Sequence, residues 1–196
     1  MKKINLLRSL AAVTLMTTLA SAQAHTGHGA EGFIAGIVHP FMGLDHLLAM
    51  VAVGIWSVVM LPKARRLAGP AMFVAMLLAG ALVALASVGL PLIEPGVAAS
   101  VAVLGALLLL ARRIGLITGL ALISVAALLH GYAPGSELAA GQPFASYAGG
   151  VMLGSVALHG VGLAVGNALQ HLPTWIGRTA AVLMGASGLV MLAARL

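Results

Sequence analysis

Cysteine is absent from the 196 residues. That excludes a disulfide framework, a thiolate metal site and a thiol nucleophile, so any metal must be held by nitrogen, oxygen or thioether sulfur. Charge is scarce as well: charged residues make up 7% of the chain and only four are acidic, against roughly 25% charged residues in soluble domains. Aromatics contribute 4%. What fills the chain instead is apolar, with 61% hydrophobic residues and 25 glycines, and a chain so poor in charge cannot clothe a soluble surface. An integral membrane protein is expected. The formal net charge of +6 would suggest nucleic acid in a soluble chain, but the ten Lys and Arg are split among short segments between apolar runs. They read as topology signals, and no nucleic-acid partner is expected. No Walker-type phosphate loop is present to suggest an ATP-driven pump.

The N-terminus reads as an address. Lys2, Lys3 and Arg8 form a basic region, Leu10 to Ala20 an apolar one, and Ala22-Gln23-Ala24 an A-x-A cleavage site, together a cleavable signal peptide over residues 1–24. An uncleaved signal anchor is the alternative. Residues 25–32 would form a short exported tail, in which His25 and His28 either chelate a metal or simply lie in a disordered segment. Residues 33–196 read as one all-α domain, a polytopic bundle of six transmembrane helices: Phe33 to Met60, Pro70 to Leu90, Gly96 to Ala111, Ile114 to Tyr132, Ser146 to Leu169 and Thr174 to Ala193. The first run is overlong and contains Pro40 and Gly43. A kink or unwound stretch is expected beside Pro40, because proline lacks an amide donor and disfavours helix at His39.

Basic residues alternate between connections. Lys63, Arg65 and Arg66 follow span one, Arg112 and Arg113 follow span three, and Arg178 opens span six, whereas the intervening connections carry no Lys or Arg. The positive-inside rule then places both ends outside a bacterial inner membrane, with the N-terminus exported after cleavage. Arg195 is the one basic residue on the wrong side. Glu31, Glu94 and Glu137 fall at or near the outer face. Glycines spaced four apart, Gly32/Gly36, Gly115/Gly119, Gly150/Gly154 and Gly162/Gly166, suit close helix packing.

The chemistry concentrates in His39-Pro-Phe-Met-Gly-Leu-Asp45-His46, two imidazoles and a carboxylate inside an apolar span. An ionisable residue at that depth costs roughly 2.5–3.5 kcal/mol on insertion scales and calls for a partner. A bound cation is the expected one. Imidazole and carboxylate suit divalent nickel, cobalt, zinc or copper. On an unbroken helix His39 and His46 share a face but stand about 10 Å apart along the axis, so one ion could engage both only if the helix bends. His130 and Glu137 again set a histidine and a carboxylate seven apart, where an ordinary interfacial helix end is the alternative. His159 lies deep in span five as ligand, relay or structural donor. Glu94 is either a helix-terminal residue or part of a path, and Met50 and Met152 read as packing.

These segments resemble a known family. His39 to Trp56 (HPFMGLDHLLAMVAVGIW), HGYAPGSE at 130–137 and the pair His159-Gly160 are similar to the HupE/UreJ nickel permeases. The resemblance implies a secondary transporter, not an enzyme, that imports nickel, with cobalt or zinc as further candidates, for metalloenzyme maturation. The metal is then cargo, and no prosthetic group is expected. His39, Asp45, His46, His130 and Glu137 are the metal residues it implies, and His159 joins them by position. This chain departs at Pro134, where the family's second motif usually has a histidine. An intramembrane zinc hydrolase built on the same His/Asp cluster is the alternative.

Overall fold

The computed structural model describes residues 30–86, 89–136, 138 and 143–196. The signal peptide, His25, His28 and Glu137 lie outside the described residues. Among those described, all regular structure is helical: α1 (Ala30–Met42), α2 (Leu44–Met60), α3 (Ala68–Leu85), α4 (Ile93–Leu109), α5 (Leu116–Ser136), α6 (Phe144–Leu169) and α7 (Thr174–Arg195), with one 3-10 turn at Lys63–Arg65. Each predicted apolar run has its helix, and the first run has two. By length and composition, four helices are fit to cross a membrane, and α1 with α2 pass that test as a pair bent by 79°; α4, at 17 residues, is a shorter apolar helix.

The bend corrects the expected position of the kink. His39 and Pro40 stay inside α1, and the chain breaks three residues later at Gly43, whose backbone is extended (φ −90°, ψ 118°). Pro40 is buried, and a Cβ at Gly154 of α6 would press on its ring, so packing holds α1 helical through the proline. Gly43 yields instead because nothing projects from it. A Cβ there would stand 2.6 Å from Asp45 Oδ1 and 3.2 Å from His46 Nδ1.

Packing follows the glycines. α1 and α2 lie along α6, α3 along α5, and α4 along α7. Gly36 faces the Tyr147 carbonyl and Gly150, while Gly54 faces the His159 carbonyl and Gly162. Gly131 faces the Leu77 carbonyl and Gly188 faces Ala102. Lipid is as apolar as the helices, so close backbone approach, not water exclusion, holds such pairs together. Of the predicted glycine pairs, Gly150/Gly154 and Gly162/Gly166 sit in these seams, whereas Gly115 faces open space. Met50, Trp56, Phe73, Leu104 and Ile123 fill the interior, and Ile117, Leu183, Leu189 and Val190 remain on the outside.

Charge is segregated end to end. Asp45 and Glu94 open α2 and α4, and Arg195 closes α7 beside them. Lys63, Arg65, Arg66, Arg112, Arg113 and Arg178 belong to the opposite end, where Arg112, Arg113 and Arg178 help to line a cavity of about 580 Å³.

Candidate metal centre

The break at Gly43 turns the middle of an apolar run into a helix N-terminus. Asp45 stands in the first turn of α2, where unpaired amides and the helix dipole favour an anion. Its Oδ1 accepts from the His46 backbone N–H at 2.7 Å and from His46 Nδ1 at 2.8 Å. Oδ2 accepts from Arg195 Nη2 at 2.7 Å. Within the chain, the partners of Asp45 are thus His46 and a guanidinium from the last turn of α7. Arg195, read from the sequence as a misplaced topology charge, also donates from Nη1 to the Glu94 carbonyl at 3.0 Å and lies 3.4 Å from Glu94 Oε2.

The bend also closes the distance between the motif histidines. The His39 and His46 rings meet edge to face at 5.2 Å between centroids, about half the axial separation of a straight helix, and His39 also touches the Tyr147 ring at 5.9 Å. His46 then meets His130 at 4.6 Å. Four of the six candidate residues, His39, Asp45, His46 and His130, thus form one contiguous cluster where α1, α2 and α5 converge. His159 stands apart. Phe73 of α3, fully buried, packs against both His130, at 6.1 Å between centroids, and His159, at 5.0 Å. Among the described residues no three or more His, Asp or Glu side chains point at a common position as a ready ligand set.

Hydrogen bonds fix the tautomers. Ser100 Oγ lies 2.7 Å from the Val97 carbonyl and 2.9 Å from His130 Nε2; donating to the carbonyl and accepting from Nε2 satisfies both, whereas the reverse would bury an Nδ1–H with no acceptor. His130 therefore carries its proton on Nε2 and presents a bare Nδ1, buried and without a protein partner. In the same way His159 Nδ1 donates to the Ser155 carbonyl at 2.6 Å, which leaves Nε2 bare, buried and unpartnered. An imidazole that donates through one nitrogen and offers the other is the arrangement by which proteins hold metal-ligating histidines.

Pro134 has a local consequence. It lies inside α5, which runs to Ser136 and not to Tyr132 as predicted, so His130 is fully buried rather than at an interfacial helix end. Four residues after His130, Pro134 has no N–H to give the His130 carbonyl. That carbonyl faces His46 Nε2 at 3.2 Å. With Asp45 on Nδ1, both His46 nitrogens face oxygen acceptors.

The remaining candidates fall as follows. Glu94 sits in the first turn of α4, half-exposed and against Arg195, after a Leu92 held at φ 61° and a Leu90 N–H bonded to the Tyr132 hydroxyl. Met50 is core, and Met152 packs against it. Sequence reasoning missed Arg195, Ser100 and Phe73 as members of the site. The one usable signal was Arg195 itself, the lone exception to the charge pattern and, among the described residues, the one Lys or Arg near the acids.

Fold and site define a class, the multi-pass helical membrane proteins with an ionisable cluster at a helix break. Within it the chain belongs to the HupE/UreJ family: the family model described as HupE / UreJ protein matches residues 13–191. Protein HupE of Rhizobium leguminosarum bv. viciae is 37% identical over 166 residues, spanning 84% of this chain and 85% of that protein. No solved structure matches.

Proposed function

We propose that the chain is a secondary importer of a divalent transition-metal ion, with nickel as the first cargo and cobalt or zinc as further candidates, serving metalloenzyme maturation. The observation that carries this reading is the pair of buried histidines, His130 and His159, each with one nitrogen held and one bare. Both pack against Phe73, and His39, Asp45 and His46 adjoin the first of them. Two stations that share one ring suit passage from one to the next. A zinc hydrolase needs a tight ligand set at one depth with a general base, and no observation favours it here.

The order of events in this reading starts at the acidic end. The ion sheds part of its water near Glu94 and Glu137, engages Asp45, His46, His39 and His130, passes Phe73 to His159, and leaves at the end carrying Lys63, Arg112, Arg113 and Arg178. Mixed imidazole and carboxylate ligands with retained water bind loosely enough to release. Six spans, with α1 and α2 as one broken span and α4 as a short one, and an exported N-terminus after signal cleavage put the acidic end outside a bacterial inner membrane. Moving two charges inward along the membrane potential gains about 4.6 kcal/mol per 100 mV, which supports a gradient of roughly a thousandfold.

Radiotracer uptake into proteoliposomes tests the reading. Saturable nickel uptake that accelerates under an inside-negative potential is expected, with cobalt and zinc competing. Absence of uptake of all three metals, with or without the potential, refutes it.

A further inference from the structure

Arg195 occupies the position a cargo cation would take. Asp45 Oδ1 is already engaged twice by His46, so Oδ2 is the oxygen left for a cation, and Arg195 Nη2 lies on it at 2.7 Å. The other guanidinium nitrogen reaches Glu94, the second acid of this end, at 3.4 Å. No other Lys or Arg among the described residues belongs to this end of the bundle. Guanidinium does not lose its proton, so the contact is a permanent positive charge on the acids. A divalent ion and a guanidinium on one carboxylate oxygen exclude each other by repulsion as well as by space. The Asp45 side chain is buried, with 6% of its surface exposed, whereas that of Arg195 keeps 28% and has room to leave. Packing of α7 does not depend on the contact, because Gly188 already seats that helix on Ala102 of α4.

We propose that Arg195 is a tethered counter-ion that incoming cargo displaces from Asp45 and Glu94, and that its return neutralises the acids once the cargo has moved on. Arg195 then sets the apparent affinity for the metal. The inference rests on the transport reading above.

The chain has no cysteine, so Arg195→Cys introduces a unique thiol to which charge can be restored chemically. Nickel uptake is measured in proteoliposomes for wild type and for Arg195→Cys, the latter untreated, treated with an aminoethyl methanethiosulfonate that adds a cation, or treated with the neutral methyl reagent. The untreated variant should reach half-maximal uptake at roughly tenfold lower nickel, the scale on which one charge-assisted pair changes an equilibrium. The cationic reagent should restore the wild-type value, and the methyl reagent should not. An unchanged or raised half-saturation, or equal effects of the two reagents, overturns the proposal while leaving transport intact. If Arg195→Cys does not fold, Arg195→Gln and Arg195→Lys decide the same point, with Lys at the wild-type value and Gln below it; equal values overturn the proposal. A wild type that takes up no nickel, cobalt or zinc overturns the transport reading and this inference with it.

Discussion

Ser100 links His130 to its own helix: its hydroxyl donates to the Val97 carbonyl at 2.7 Å and accepts from His130 Nε2 at 2.9 Å, the arrangement that leaves no buried N–H unpaired. A helix-bound serine thereby decides which imidazole nitrogen of a neighbouring helix is left for a cation. Ser100→Ala removes the acceptor and leaves a buried donor unsatisfied, at a cost of about 1–3 kcal/mol. Nickel uptake should fall about tenfold, as for lost outer-shell partners of metal ligands. Nitrogen-15 NMR of histidine-labelled protein should show His130 moving from a single Nε2–H tautomer to a mixture.

Pro134→Ala tests the carbonyl that faces His46. An alanine restores an N–H four residues after His130, which can bond the His130 carbonyl within α5. His46 Nε2 then loses its acceptor at 3.2 Å. Two consequences are expected: a more stable α5, by up to about 3 kcal/mol, measured by thermal unfolding in detergent, and a changed ratio of nickel to cobalt uptake. Unchanged stability and an unchanged ratio would show that the carbonyl contact has no bearing on the site.

Gly54→Ala should loosen the seam that carries His159. The added Cβ would lie 2.6 Å from the His159 carbonyl and 2.7 Å from Gly162 Cα, both backbone atoms of α6 that cannot turn aside. A destabilisation of about 1–3 kcal/mol is expected, seen as a lower unfolding temperature. Gly115→Ala, with nothing within 4 Å of its Cβ, serves as the control and should unfold as wild type does.

Phe73→Ala removes the ring that touches both stations. Truncating a fully buried phenylalanine costs about 3–5 kcal/mol, and both His130 and His159 lose their aromatic neighbour. Phe73→Leu retains more of the volume and should keep most of the stability lost in Phe73→Ala, again read by thermal unfolding.

Much of the helix layout was legible because apolar runs and basic connections are local patterns, as the match of each predicted run to a helix shows. The broken first run was foreseen, but not its place: proline's missing amide suggested Pro40, while Gly43 was free to yield because the Asp45 carboxylate needs the space a Cβ would fill. The clustering of His39, Asp45 and His46 was legible from their spacing plus a bend. The roles of Ser100, Phe73 and Arg195 were not, since each acts on a helix distant in sequence and none carries a motif. Arg195 and Asp45 are 150 residues apart, and only folding brings the exception in the charge pattern to the acid it neutralises.

Replacing Asp45 by asparagine tests the account most directly, because Asp45 joins the helix break, His46 and Arg195. Nickel uptake is to be measured in cells expressing wild type or Asp45→Asn at equal levels in the membrane fraction. The account predicts that the variant falls to the background of cells lacking the protein. Uptake by Asp45→Asn at the wild-type rate would contradict it.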